Sequence, residues 1–194
     1  MYHMLVSRNS RHGARSFFVL LMVVLFTGGA VFYGFGKTEE KDMVDTSVVP
    51  GVDLQRYAGV WYEIARFPHS FEKDLVGVTA TYTVGEDGRI WVLNQGYRGS
   101  FEGRIRKTRA RATIPDPRRP GSLKVFFFLF IGAEYNIMML DDDYQYALVG
   151  SSTPNFLWIL SRTPHMDSDI YGMLVAEAQR RGYDVNRLQL VPQR

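Results

Sequence analysis

Apolar and polar residues alternate in a series of short runs that fill most of the chain after Pro50. The run GVTATYTV shows the pattern most clearly, because Val78, Ala80, Tyr82 and Val84 alternate with threonines, which gives an extended strand one apolar face. Clusters of turn-forming residues, such as GEDG and PDPRRPG, separate the runs. The pattern predicts eight strands, over residues 59–67, 76–84, 89–97, 101–114, 122–131, 134–141, 144–151 and 155–162.

The connections between these runs are short, which predicts an antiparallel up-and-down sheet, because parallel strands need crossovers of about a dozen residues or more. Such a sheet either packs as a sandwich or closes into a barrel without exposed edges. The run 101–114 contains five cationic residues, which suit a barrel wall better than the middle of a sandwich. The sequence therefore favours an all-β fold, an eight-stranded antiparallel β-barrel.

The spacing of apolar residues changes after the last strand. In DSDIYGMLVAEAQRRG, the apolar residues Ile170, Met173, Leu174 and Ala178 fall on one stripe of a helix. A cap at Asp167 or Ser168 and the closing Arg-Arg-Gly predict one C-terminal α-helix, about Asp167–Arg181, packed outside the barrel. The run VNRLQLV then predicts a short strand at the edge of the sheet.

A basic flank precedes the apolar run FFVLLMVVLF near the N-terminus, an arrangement typical of membrane targeting. A signal peptide would end near Ala30, whereas an uncleaved anchor over Ser16–Gly36 has the length of about 20 residues that crosses a bilayer. The apolar stretch continues beyond Ala30, which favours the anchor. Residues 1–36 are thus predicted to be a signal peptide or signal anchor with a hydrophobic helix, 37–50 a linker, and 51–194 a barrel domain exported to the cell envelope, facing the periplasm or exterior.

The composition excludes several classes of protein. The chain contains no cysteine, so it has neither disulfides nor the acylated cysteine of a lipoprotein, and its hydrophobic content of 46% is ample for a core. The net charge of +3 is modest and the aromatic residues are not grouped beside the cations, which argues against binding of nucleic acid. Contact with anionic lipid headgroups suits the basic run 101–114 better.

Several motifs follow one another in order along the chain: Gly59, Trp61 and Tyr62 within GVWYEIARF, and then TATY, NQGYR, YALV and LWILSRTP. Together they resemble the lipocalin family, and in particular its bacterial lipocalin and apolipoprotein D branch. The resemblance implies a barrel that carries a small apolar ligand without a cofactor, with a short helix over VDLQRYA as a plug at one end. It also implies that Trp61 lies at the closed end of the barrel, with the cation of Arg162 across its ring.

The ligand that this branch of the family implies is a fatty acid or a lysophospholipid. Alternation and the family pattern together predict the following ligand-binding residues: Val78, Ala80, Tyr82, Val84, Asn94, Gly96, Arg98, Asn136, Met138 and Trp158. Asn94 and Arg98 are the most informative, because an inward amide and an inward cation need a polar partner. We expect Arg98, late in its strand, to meet a carboxylate or phosphate at the barrel mouth. A membrane surface and a second copy of the chain are the other expected partners.

Glu63 follows Trp61 by two residues and therefore points in the same direction along a strand. A general acid or base needs a partner within reach, and the sequence places neither a histidine nor a nucleophile motif to supply one. The spacing of metal ligands is also absent. We expect Glu63 to be a hydrogen-bonded structural group in a binding protein. Two alternatives stay open: a filled barrel that acts as an interaction module, and an enzyme that uses Glu63.

Overall fold

The computed structural model describes residues 44–128 and 131–194. The predicted targeting segment 1–36 and the first half of the linker, residues 37–43, lie outside these ranges. Within the described ranges, no helix combines the length and the apolar character needed to cross a membrane. The helices and strands below all belong to the predicted domain 51–194.

Eight consecutive antiparallel strands form a closed barrel. They are β1 Gly59–Arg66, β2 Leu75–Val84, β3 Ile90–Arg98, β4 Ile105–Thr113, β5 Ser122–Phe128, β6 Ile131–Leu140, β7 Tyr146–Gly150 and β8 Leu157–Ser161. Each strand pairs with the next along the chain, and β1 pairs with both β8 and β2, which closes the ring. The predicted eight-stranded antiparallel barrel is therefore confirmed.

The strand boundaries follow the alternating pattern closely, except at the start of β4. The pattern predicts a strand from residue 101, whereas β4 begins at Ile105. The preceding residues form a turn, in which Gly99 has a φ of +76° and the Gly103 N–H donates to the Ser100 carbonyl. The two glycines explain the difference, because they allow a tight turn where the prediction continues the strand.

A ninth strand, β9 Gln189–Leu190, is added to the open end of β1. It confirms the predicted edge strand in part, because Val185–Arg187 form a 3₁₀ turn instead. β1 pairs with β2 only over its first four residues, so the two strands separate towards the open end. The Gln193 side-chain amide donates to the carbonyls of Glu63 and Val78, one on each side of this gap. The C-terminal segment thus bridges the seam of the barrel.

Two apolar clusters hold the fold together. One fills the closed end of the barrel, where the short helix α1, Leu54–Tyr57, inserts as a plug with Tyr57 buried. The other lies outside the barrel beneath the second helix, α2 Ser168–Arg180, which buries Leu174 and Ala178 completely. Both predicted helices are therefore present, one at the end of the barrel and one on its wall.

The packing of α2 corrects one detail of the predicted stripe. Met173 is 39% exposed, because the helix meets the barrel through Leu174 and Ala178 and turns Met173 towards solvent. The predicted cap is confirmed, since the Asp167 carboxylate accepts from two backbone N–H groups of the first turn.

The closed end is organised around Trp61 and Arg162. Trp61 is fully buried, and the guanidinium carbon of Arg162 lies 4.0 Å from the centre of its ring. The same guanidinium donates hydrogen bonds to four backbone carbonyls, those of Arg56, Tyr57, Val60 and Tyr144. Gly59 has a φ of +98°, and a Cβ there would lie only 3.2 Å from Arg162 Nη1. The glycine therefore lets the guanidinium approach the backbone.

Replacement of Arg162 by methionine is expected to lower the free energy of unfolding by about 2–4 kcal/mol. The substitution removes charge-assisted hydrogen bonds, worth about 1.5–3 kcal/mol, and a cation–π contact worth about 1–2 kcal/mol. Urea denaturation followed by tryptophan fluorescence measures the change. The control is Arg118→Met, which removes an arginine whose side chain is 89% exposed, and it is expected to leave the midpoint unchanged. An equal loss in both variants would contradict the role given to Arg162.

Candidate ligand-binding site

A cavity of about 360 Å³ lies inside the barrel. Most of its wall is apolar and is formed by Val78, Ala80, Val92, Val125, Ala133 and Leu160. Polar atoms form only a small part of its surface, and the polar side chains on its wall belong to Glu63, Glu72, Thr79, Tyr82, Asn94, Glu134, Tyr135 and Ser151. An apolar cavity with a small number of placed polar groups is typical of a site for a small hydrophobic molecule.

The structure places all five of the predicted residues of β2 and β8 at this cavity or just below it. Val78, Ala80, Tyr82 and Trp158 line the cavity itself. Val84 shares the inward face of β2 but packs against the apolar cluster at the closed end. The alternation in β2 therefore predicts the inward face correctly, and the cavity ends before the last residue of that face.

The three predicted residues of β3 have three different positions. Asn94 lines the cavity, and its buried Oδ1 has no hydrogen-bond partner among the residues that the structure describes. A Cβ at Gly96 would lie 2.9 Å from Val78 Cγ2, so the glycine makes room for this neighbour. Arg98 lies beyond both, in a separate recess at the mouth of the barrel.

The two predicted residues of β6 are not brought to the cavity. Asn136 accepts a hydrogen bond from Ser122 Oγ, and Met138 packs beneath α2, where its Sδ lies 3.6 Å from the Tyr183 hydroxyl. The cavity is lined instead by Ala133 and Tyr135, on the opposite face of β6. The prediction is wrong by one residue because both faces of β6 are buried, so its sequence does not show which face is inward.

A short lid covers the open end of the cavity. It consists of the residues between β1 and β2, including the 3₁₀ turn Ser70–Glu72, and Phe71 and Glu72 of this turn line the cavity. Arg66 Nη1 donates to Glu63 Oε1 at 2.6 Å, and its Nη2 donates to the Glu72 carbonyl at 2.8 Å. Arg66 therefore ties the lid to the barrel wall.

Two carboxyl groups are buried beneath the lid. Burial, together with the neighbouring carboxyl of Glu72, raises the pKa of Glu63 well above its usual value, while Arg66 opposes the shift. Glu72 Oε2 lies 3.0 Å from His69 Nε2, but at an angle that makes no hydrogen bond. Glu63 is thus a hydrogen-bonded structural group, as expected, and its partner is an arginine three residues along the same segment.

Aromatic side chains from two loops flank the lid. The rings of His69 and Phe71 stack with centroids 3.8 Å apart, and those of Phe156 and Trp158 stack at 5.8 Å. Phe71 is 56% exposed, although it also borders the cavity. The sequence analysis did not identify Phe71 or Phe156, because residues in loops have no period to reveal their direction.

A second hollow, the mouth recess, has a volume of about 390 Å³. Four cationic residues line it: Lys73, Arg98, Arg106 and Lys107. Among the residues that the structure describes, none of these four side chains has an ion-pair or hydrogen-bond partner. The mouth recess adjoins the cavity, because Phe71, Glu72, Val78 and Asn94 line both. Arg106 was predicted only as part of a basic barrel wall.

The described residues contain no metal site. No group of three or more histidine, aspartate and glutamate side chains within residues 44–128 and 131–194 is arranged to hold an ion. Arg66 binds the carboxylate of Glu63 and the backbone carbonyl of Glu72, and these two contacts attach the lid to the barrel wall.

Comparisons with known proteins agree with this geometry. A family model described as a lipocalin-like domain matches residues 52–193. The outer membrane lipoprotein Blc of Citrobacter freundii is 43% identical over 147 residues, which cover 76% of this chain and 82% of the relative. Apolipoprotein D of Cavia porcellus is 34% identical over 189 residues, which cover 90% of this chain and 95% of the relative. The crystal structure of the cockroach allergen Per a 4 has a TM-score of 0.61 at 21% identity, covers 79% of this chain and 96% of that one, and shows the fold alone.

The raised pKa of Glu63 predicts that its effect on stability depends on pH. A carboxyl whose pKa is higher in the folded state binds more protons there, so stability falls as the pH rises above the unfolded value of about 4.3. Glu63→Gln keeps the shape of the side chain and cannot ionise. We expect this variant to lose less stability than the wild type between about pH 5 and pH 8, measured as the urea midpoint at each pH.

Glu177 provides a control of opposite sign. Hydrogen bonds from Arg180 and Arg181 lower the pKa of Glu177 to about 2, so its ionised form stabilises the fold above the unfolded value. Glu177→Gln is therefore expected to lose stability relative to the wild type as the pH rises from about 2 to about 4.5. Parallel curves for the wild type and Glu63→Gln would contradict the argument for Glu63.

Proposed function

The chain belongs to the lipocalin family, and from this premise we propose that its barrel binds and carries a fatty acid or a lysophospholipid. Like its relatives, the protein is a binding protein for small hydrophobic molecules and not an enzyme. The observation that supports this class of ligand is that an apolar cavity and a basic recess at the mouth lie side by side and share four lining residues.

The cavity supplies the site for the alkyl chain. Its wall is made of short aliphatic side chains, among them Val78, Ala80 and Ala133. Burial of an alkyl chain gains about 0.8 kcal/mol for each methylene group, so most of the affinity comes from the chain. The stacked rings of Phe156 and Trp158 lie at the entrance and offer a flat apolar surface to the part of the chain near the mouth.

The mouth recess supplies the site for an anionic headgroup. Arg98 and Arg106 present guanidinium groups, which match the geometry of a carboxylate or a phosphate with two parallel hydrogen bonds. Lys73 and Lys107 add two further positive charges, so four cationic residues line the recess against two acidic ones, Glu72 and Asp74. Because these cations have no partner in the described part of the protein, a headgroup meets them without having to displace an ion pair.

The site of action that we propose is the cell envelope. A relative at 43% identity is named an outer membrane lipoprotein, whereas this chain has no cysteine to carry acyl groups. In our proposal the uncleaved segment 16–36 replaces the lipid anchor, and the linker 37–50 acts as a tether. A flexible linker of that length spans about 20 Å, which holds the barrel close to the bilayer surface. Association of two barrels stays a prediction.

The cavity argues against the alternative of a filled barrel that acts only as an interaction module. A barrel of eight strands is just wide enough either to fill with side chains or to hold one small ligand. In this barrel, side chains fill the closed end around Trp61, and the space beyond is left open to about 360 Å³. The structure therefore has the void that a carrier needs.

Titration of the full-length chain with a fluorescent fatty acid is expected to show saturable binding. Reversal of two charges in the mouth recess, Arg98→Glu with Arg106→Glu, is expected to weaken this binding about tenfold or more, because the headgroup then meets repulsion. The matched control is Arg109→Glu with Arg111→Glu, which reverses the same number of charges on the exposed outer face of β4.

The two double variants separate a local effect of the headgroup site from a general effect of net charge. The loss of affinity is expected only for the pair in the recess, and it is expected to shrink at high salt. Equal weakening by both pairs would contradict the headgroup site. Absence of saturable binding by the wild type would contradict the proposed function itself.

A further inference from the structure

Three tyrosine hydroxyl groups meet at the inner end of the cavity. Tyr57 comes from the plug helix α1, Tyr82 from β2 and Tyr135 from β6. The hydroxyl oxygens of Tyr57 and Tyr135 lie 2.7 Å apart, and Tyr135 also forms a side-chain hydrogen bond with Tyr82. Tyr135 is therefore the centre of a chain of three hydroxyl groups.

The hydrogen bonds among these three hydroxyl groups leave one hydroxyl hydrogen without an acceptor. Each hydroxyl group carries one hydrogen, so the three tyrosines provide three donors, whereas the contacts among them use only two. The described residues place no further acceptor within hydrogen-bond distance of these hydroxyl groups. A buried donor without a partner costs about 1–3 kcal/mol.

The surplus hydrogen can lie in the cavity. Tyr82 and Tyr135 both line the cavity, whereas Tyr57 lies beneath them in the plug. When Tyr57 donates to Tyr135, the hydrogen left over belongs to Tyr82 or to Tyr135. Val92, Val125 and Leu160 pack in the same cluster, line the cavity and have no polar side-chain atoms. The polar side chains elsewhere on the cavity wall, such as Thr79, Glu134 and Ser151, are not hydrogen-bonded to these hydroxyl groups. An acceptor for the surplus hydrogen can therefore lie in the cavity space.

The hydroxyl groups keep their hydrogens over the whole physiological range. Burial is the main cause that raises the pKa of each of the three tyrosines above its usual value, and the neighbouring phenols raise those of Tyr82 and Tyr135 further. The hydroxyl group with the surplus hydrogen is therefore a neutral donor and not a phenolate, and it suits a neutral acceptor oxygen.

We propose that the inner end of the cavity is a subsite for an acceptor oxygen, so that the preferred ligand is an amphiphile with a ketone or hydroxyl oxygen near the end of its chain opposite the headgroup. The inference rests on the proposed function, since it takes the headgroup to lie in the mouth recess and the chain to enter the cavity. The subsite makes binding depend on the inner end of the ligand, in addition to the attraction between the headgroup and the mouth recess.

The test compares an unmodified fatty acid with the same acid carrying a ketone at successive positions near its methyl end. Each acid displaces a fluorescent fatty acid from the full-length chain, and the dissociation constants are compared. A hydrogen bond worth about 1 kcal/mol predicts about fivefold tighter binding for the ketone position that reaches the tyrosines. The other ketone positions are expected to bind more weakly than the unmodified acid, because they bury an unpaired carbonyl.

Two sets of variants identify the donor. Tyr82→Phe with Tyr135→Phe removes both hydroxyl groups that line the cavity, and it is expected to abolish the preference while the unmodified acid still binds. Tyr57→Phe is the matched control within the same cluster. It leaves two hydroxyl groups and one contact between them, so one hydrogen remains surplus and the preference is expected to persist.

The outcomes distinguish the subsite from the proposed function. If the wild type binds neither acid, the proposed function is wrong. If the wild type binds the unmodified acid and every ketone position equally or less well, the subsite alone is wrong, as when a water molecule satisfies the tyrosines in every complex. A preference that survives in the double variant would also overturn the subsite. The comparison of ketone positions in the wild type decides the matter even if the double variant fails to fold.

Discussion

The contact between the guanidinium of Arg162 and the ring of Trp61 holds the closed end of the barrel together. Through its hydrogen bonds, the same guanidinium joins the plug helix, the first strand and the turn before β7. Trp61 also donates its indole N–H to the Tyr57 carbonyl, which Arg162 holds from a second direction. Tyr57 is therefore fixed in place, and with it the floor on which the cavity rests. Loss of this contact would release the plug and the floor together.

The two ends of the cavity have different physical characters. The inner end is formed by buried side chains on strands and on the plug, so its hydrogen-bonding groups have fixed positions. The outer end is formed by the lid and by exposed cations such as Arg98 and Arg106, which act through charge over a longer range. Charge attracts many anionic amphiphiles, whereas fixed hydrogen-bonding groups discriminate among them. In our proposal, recognition therefore combines a general attraction at the mouth with a selective contact at the inner end.

The sequence predicted the barrel because turn-forming residues separate its eight strands, and because β2 has one apolar face and one threonine face. The same reasoning failed in β6, where Asn136 and Met138 were assigned inward, since α2 covers the outer face and leaves both faces buried. Sequence alternation could not identify Phe71 or Glu72 as cavity-lining residues, because the lid that contains them has no repeating pattern. The tyrosine cluster was also beyond reach, since its members come from three elements that only the folded chain brings together.

The seam between β1 and β2 has a consequence for the way in which the protein is made. Residues 189–193 bridge the open end of that seam, and they follow all eight barrel strands along the chain. Because a polypeptide is synthesised from its N-terminus, β1 is the first barrel strand to be made. The edge of β1 at the open end of the barrel lacks its last neighbours until residues 189–193 have also been made. An unpaired strand edge is a surface on which other chains can pair. The interval between synthesis of the first strand and of the ninth is therefore the period in which the chain is most open to aggregation and to capture by chaperones.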